Sequence, residues 1–140
     1  MKQAVLLLAL VVSGLEMAFF AWGYGPVSVV IYGAIALMAL MIAGTFLWLW
    51  FAQATPLALG MVYSWAGIGL VSGWWWVYNL MGQPLWAERH PGMFSVLALY
   101  VVGAVLHFAV IHRSFGYHGG SFVWPVGAAL GLSVGVFLLV

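Results

Sequence analysis

Residues 4–22 read AVLLLALVVSGLEMAFFAW, an apolar run with one charged residue, Glu16, and no countercharge beside it. A helix needs about 20 apolar residues to cross the hydrocarbon core, so this stretch is long enough to span. A charged carboxyl at mid-bilayer costs roughly 2.5–3.5 kcal/mol or more, which makes Glu16 a candidate functional residue. The run follows Lys2 and so mimics a signal peptide. It lacks a small-x-small cleavage site before Trp22 and Tyr24, and an acid would spoil the apolar core of a signal, so the stretch is expected to stay as a helix.

The rest of the chain repeats this character. Of 140 residues, 67% are hydrophobic and 4% are charged, against about 25% charged in a soluble domain. So few charges cannot make a water-compatible surface. The apolar runs are long and continuous rather than alternating, which points to helices and not to a barrel. The expected fold is an all-α integral membrane protein, a bundle of five transmembrane helices. The net charge of +1 excludes nucleic acid as a partner by electrostatics, and the absence of Cys excludes disulfide and thiol chemistry.

Gly and Pro punctuate the spans. Span 1 covers 4–22 and is followed by a turn at 23–26; span 2 covers 27–51 and ends in an aromatic stretch with Trp48 and Trp50. Span 3 covers 57–80, after a turn at 53–56, and contains Gly60, Ser64, Gly67, Gly69 and Gly73, with Trp74, Trp75, Trp76 and Tyr78 as a second aromatic belt. The loop 82–91 is polar and holds the adjacent Glu88 and Arg89, a solvated pair of little energetic worth. Span 4 covers 92–111. A Gly-rich loop with Arg113, Tyr117 and His118 leads to span 5 at 122–140, with Pro125 in its first turn. Five spans put Lys2 and Arg113 on one side and Arg89 on the other, a small bias toward a cytoplasmic N-terminus.

Helical spacing puts Ser13, Phe19 and Phe20 on the face of Glu16. Desolvation favours the neutral form of a carboxyl, so such a group can exchange a proton for a cationic guest. The bland reading is a structural Glu bonded to another helix. On span 3, Tyr63 and Trp65 are rings able to hold an organic cation, or ordinary packing residues. Among His90, His107, His112 and His118 no pair has metal-ligand spacing on one face, so no metal and no cofactor is expected. His107 reads either as a pigment or haem ligand or, more simply, as hydrogen-bonded to a neighbouring helix. Gly127, Gly131 and Gly135 form a double G-x-x-x-G on span 5, a helix-association signal. With no nucleophile–base pair, phosphate cradle or carboxylate dyad, no enzymatic activity is expected.

Residues 4–112 together resemble the small multidrug resistance family of the drug/metabolite transporter superfamily. The resemblance rests on Glu16 within Ser-Gly-Leu-Glu-Met-Ala-Phe-Phe-Ala-Trp, on Gly60-Met-Val-Tyr63-Ser-Trp65-Ala-Gly67-Ile-Gly69, and on Gly82-Gln83-Pro-Leu85, with Glu16, Trp65, Gly67, Gly69 and the last stretch in register. It implies a four-helix domain at 1–112, to which 113–140 adds a loop and an extra helix. It also implies a homodimer in which two copies of Glu16 exchange protons for small hydrophobic or guanidinium-type cations. Trp65 and Tyr63 would then line the site beside Ser13, and Gly67 and Gly69 would let span 3 bend. The expected place is a bacterial-type cytoplasmic membrane. The chain departs from the family at Tyr24, where a lysine is usual, at Val62, where the family tyrosine falls in strict register, and in having a fifth span. The competing expectation is a non-catalytic accessory subunit of a respiratory or photosynthetic membrane complex, docked to partner membrane subunits through the Gly127 face.

Overall fold

Helices form wherever Gly and Pro permit. The computed structural model describes residues 2–116 and 119–139. Helices α1 (Lys2–Trp22), α2 (Tyr24–Gln53), α3 (Pro56–Leu80), the short α4 (Leu85–Glu88), α5 (Gly92–Ser114) and α6 (Trp124–Leu139) follow one another, with a 3₁₀ turn at Ser121–Val123 before α6. Among the described residues five helical segments are long and apolar enough to cross a membrane, as a multi-pass membrane protein requires. Helix α2, at 30 residues, is about 45 Å long and would tilt in a hydrocarbon core of about 30 Å.

The joints are tighter than the sequence suggests. Span 2 begins at Tyr24 rather than at 27, because Gly23 alone (φ +78°) makes the reversal, its N–H bonded to the Phe19 carbonyl at 2.8 Å. Gly25 and Pro26 therefore lie inside the first turn of α2, where a missing N–H loses no helical bond. The next joint is only Ala54 and Thr55. Ala54 takes the left-handed conformation (φ 50°) and donates to the Trp50 carbonyl. The polar loop 82–91 contains α4, which is tied back by the Trp74 indole N–H donating to the Ala87 carbonyl at 3.1 Å. Span 4 continues past 111 to Ser114, so the division at 112 falls in the last turn of α5. Pro125 is in the first turn of α6, as expected. Tyr117, His118 and Val140 lie outside the described residues.

The core is a three-helix arrangement with α3 in the middle, α2 on one side and α5 on the other. Small residues make it. Ala36, Ala39 and Ala43 of α2 and Ala58 of α3 are buried, Ala36 and Ala39 to 2% and 1% exposure. A methyl group on Gly69 would sit 2.8 Å from Leu40 of α2, and one on Gly33 would sit 2.7 Å from the Trp76 indole. On the other seam a methyl on Gly67 would lie 2.8 Å from the Tyr100 backbone nitrogen, and Gly103 of α5 lies against Ser64. Trp76 is thus a packing residue as well as part of a belt. By contrast, α1 and α6 bury none of their described residues.

The seam predicts a contrast. Gly67→Ala should lose about 1–3 kcal/mol, because its methyl group meets backbone that cannot rotate away. Gly131→Ala, with nothing within 4 Å of its methyl, should lose none. Reversible unfolding of both variants in mixed micelles measures the difference.

Candidate functional site

Glu16, exposed on α1, lines an open cavity of about 580 Å³ between α1 and α2. From α1 the lining is Leu15, Glu16, Phe19 and Phe20; from α2 it is Tyr24, Val27, Ser28, Ile31 and Tyr32. One acid therefore faces four aromatic rings and one hydroxyl-bearing turn, on walls that are otherwise aliphatic. The volume lies within the range of small-molecule sites.

Local folding sets each group. Phe19 and Phe20 follow Glu16 at three and four residues, one turn along the same helix, and their rings meet edge to face at 5.7 Å. Because α2 starts at Tyr24, residues 24, 27, 28, 31 and 32 recur at helical spacing and face α1 together. The Ser28 hydroxyl donates to the Gly25 carbonyl at 2.8 Å, so Ser28 is buried with its donor satisfied. Its remaining lone pairs, and the Tyr24 and Tyr32 side chains, are the polar complement to the carboxyl. Among the described residues no side chain bonds to Glu16.

The expected site residues divide between two places. Glu16 lines the α1–α2 cavity, whereas Trp65 lines a second cavity of about 420 Å³ between α3 and α5, with Met61, Ser64, Tyr100, His107 and Phe108. Ser13 is exposed on α1 and lines neither, and Tyr63 is half-buried on α3. Neither of these two cavities is lined by both Glu16 and Trp65. Gly67 and Gly69, expected as flexible points, are buried contact residues against α5 and α2. Gly127, Gly131 and Gly135 have open space where a methyl would go, so their face of α6 has no neighbour among the described residues. His107 is bonded within the α3–α5 seam: Nδ1 lies 2.9 Å from the Gly103 carbonyl and 3.3 Å from Ser64 Oγ. Among the described residues no three His, Asp or Glu side chains gather.

The sequence singles out Tyr24 only as a departure from the family and not as a site residue, and it does not single out Ser28 or Tyr32. The signal was present as their i, i+4, i+8 spacing, but placing Tyr24 in a turn broke the pattern. No family model, no curated protein and no solved structure matches this chain.

The geometry predicts selective chemistry at one carboxyl. A hydrophobic carbodiimide, which partitions into apolar surroundings, should label Glu16, on a helix apolar enough to span a membrane, and leave Glu88, in the polar loop, unlabelled. Peptide mass spectrometry locates the adduct, and Glu16→Gln should remove essentially all of it.

Proposed function

We propose that the chain is a proton-coupled exporter of small hydrophobic or guanidinium-type cations, working as a homodimer in a bacterial-type cytoplasmic membrane. The observation that carries this reading is Glu16 facing a cavity walled by Phe19, Phe20, Tyr24 and Tyr32. A carboxylate supplies charge and ring faces supply cation–π attraction, together a seat for an organic cation with apolar substituents. The same carboxyl takes a proton when the cation leaves. One group cannot hold both, and this competition is a coupling free energy between the two ligands, reciprocal by necessity.

The resemblance to the small multidrug resistance family supports the reading through Glu16, Trp65, Gly67 and Gly69. A second copy would have to bring further groups, Trp65 and Tyr63 among them, to the carboxyl, since one chain keeps Trp65 in a separate cavity. In this reading α3 bends at Gly67 and Gly69 as its seams with α5 and α2 reseat during alternating access.

A second reading is favoured by a separate observation: the Gly127, Gly131 and Gly135 face of α6 has no neighbour among the described residues. Bare backbone suits close helix contact in lipid. On this reading the chain is an accessory subunit of a larger membrane complex, and Gly131→Leu would release it from partner subunits while leaving the Glu16 cavity intact.

The first reading is tested at equilibrium. Adding a quaternary ammonium or guanidinium compound to detergent-solubilised protein should release protons, and Glu16→Gln should release none. Cation affinity should fall as pH falls, about tenfold per pH unit where the carboxyl is mostly protonated, because the proton is then the stronger competitor. A pH-independent affinity, or equal release from the variant, contradicts the proposal.

A further inference from the structure

His107 carries an arrangement that the transport reading leaves unused. Its Nδ1 lies 2.9 Å from the Gly103 carbonyl, and its Nε2 lies 3.0 Å from Met61 Sδ. A carbonyl oxygen can only accept, so Nδ1 carries the proton of the neutral ring. The Ser64 hydroxyl, farther away at 3.3 Å, can turn to accept or point elsewhere. Nε2 then presents a lone pair to a thioether sulfur, which is itself an acceptor. Two lone pairs face each other across 3.0 Å in a half-buried seam.

Something electron-poor between them resolves the conflict. A second proton on the ring is one candidate; like any cation here it would find no carboxylate on either helix, since α3 contains no acid, and neither does α5. A metal ion is the other, and it bonds both lone pairs directly. The ring is already set as metal-bound histidines are set, with the far N–H on a backbone carbonyl that fixes the tautomer and raises the basicity of the near nitrogen.

We infer that His107 Nε2 and Met61 Sδ form a two-donor seat for a soft monovalent metal ion of the copper(I) type. Thioether sulfur selects soft ions. Both donors are neutral, and the surrounding cavity of about 420 Å³ is lined by Trp65, Tyr100, Ile68 and Phe108. A single positive charge is therefore held at far lower desolvation cost than a double one, and ring faces add cation–π attraction. With bonds as long as those at zinc, about 2.0 Å to nitrogen and 2.3 Å to sulfur, the donors must separate by about 1.3 Å to flank a linear two-coordinate ion. Met61, unbranched and with three rotatable bonds, can supply that movement. Gly60 helps to shape the approach: a methyl there would lie 3.3 Å from Leu106 Cβ and 3.7 Å from the His107 ring.

The test uses Ag⁺, a redox-inert probe for copper(I), titrated calorimetrically into the full-length protein in detergent. The wild type should bind one equivalent tightly, and silver-edge X-ray absorption should report one nitrogen and one sulfur neighbour. Met61→Leu, close to isosteric and expected to keep the fold, should weaken this binding more than about 100-fold, beyond the 10–100-fold typical of losing an outer partner. His107→Gln should abolish it. Met17→Leu, an exposed methionine on α1, should leave it unchanged. Absence of a tight equivalent in the wild type overturns the inference, as does unchanged binding by Met61→Leu.

Discussion

The contact of bare backbone with neighbouring helices governs this molecule. Between apolar helices in an apolar solvent, burial of hydrocarbon gives little net drive, and association depends on how closely backbones can approach. Helix α3 satisfies that requirement on both sides, through Gly69 against Leu40 of α2 and Gly67 against Tyr100 of α5. The alanine stripe of α2, with Ala36, Ala39 and Ala43 buried, extends the first seam. On α3 small residues line up on two faces and both seams close. The Gly127, Gly131 and Gly135 face of α6 lines up too, but has no neighbour among the described residues.

The candidate site follows from that division. Helix α1 carries leucines, valines and phenylalanines on every side and buries none of its residues. It is joined to α2 through Gly23 and meets it loosely enough to leave a cavity of about 580 Å³, which Glu16 lines. A tightly packed α1 would have trapped the carboxyl against apolar atoms at high cost. The loose fit gives it a polar edge from Tyr24, Ser28 and Tyr32, and space for a guest.

Much of the fold was legible because apolar run length and Gly-Pro punctuation are local signals. The five spans, the tight turns and the early proline of α6 follow from them. Helix ends were less legible. Gly23 reverses the chain by itself, so Gly25 and Pro26 read as turn residues although they begin α2. That single shift hid Tyr24 from the Glu16 face. Glu16 itself was legible because a lone acid in hydrocarbon stands out against its energetic cost. The placement of Trp65 was not, since which neighbour a ring faces depends on which seams close, and α3 presents small residues to both α2 and α5. His107 and Met61 lie 46 residues apart and meet only because Gly60, Gly67 and Gly103 bring α3 and α5 close. A search for histidine pairs passes over such a site, since the second donor is a methionine on another helix.

The account turns on Glu16 holding a proton or a cation, never both. The most direct measurement is uptake of a radiolabelled guanidinium compound into proteoliposomes under an imposed pH gradient, acid inside. The account predicts accumulation against the cation gradient, collapse when the pH gradient is dissipated, and no accumulation by Glu16→Gln at equal incorporation. Accumulation that persists in Glu16→Gln would contradict it.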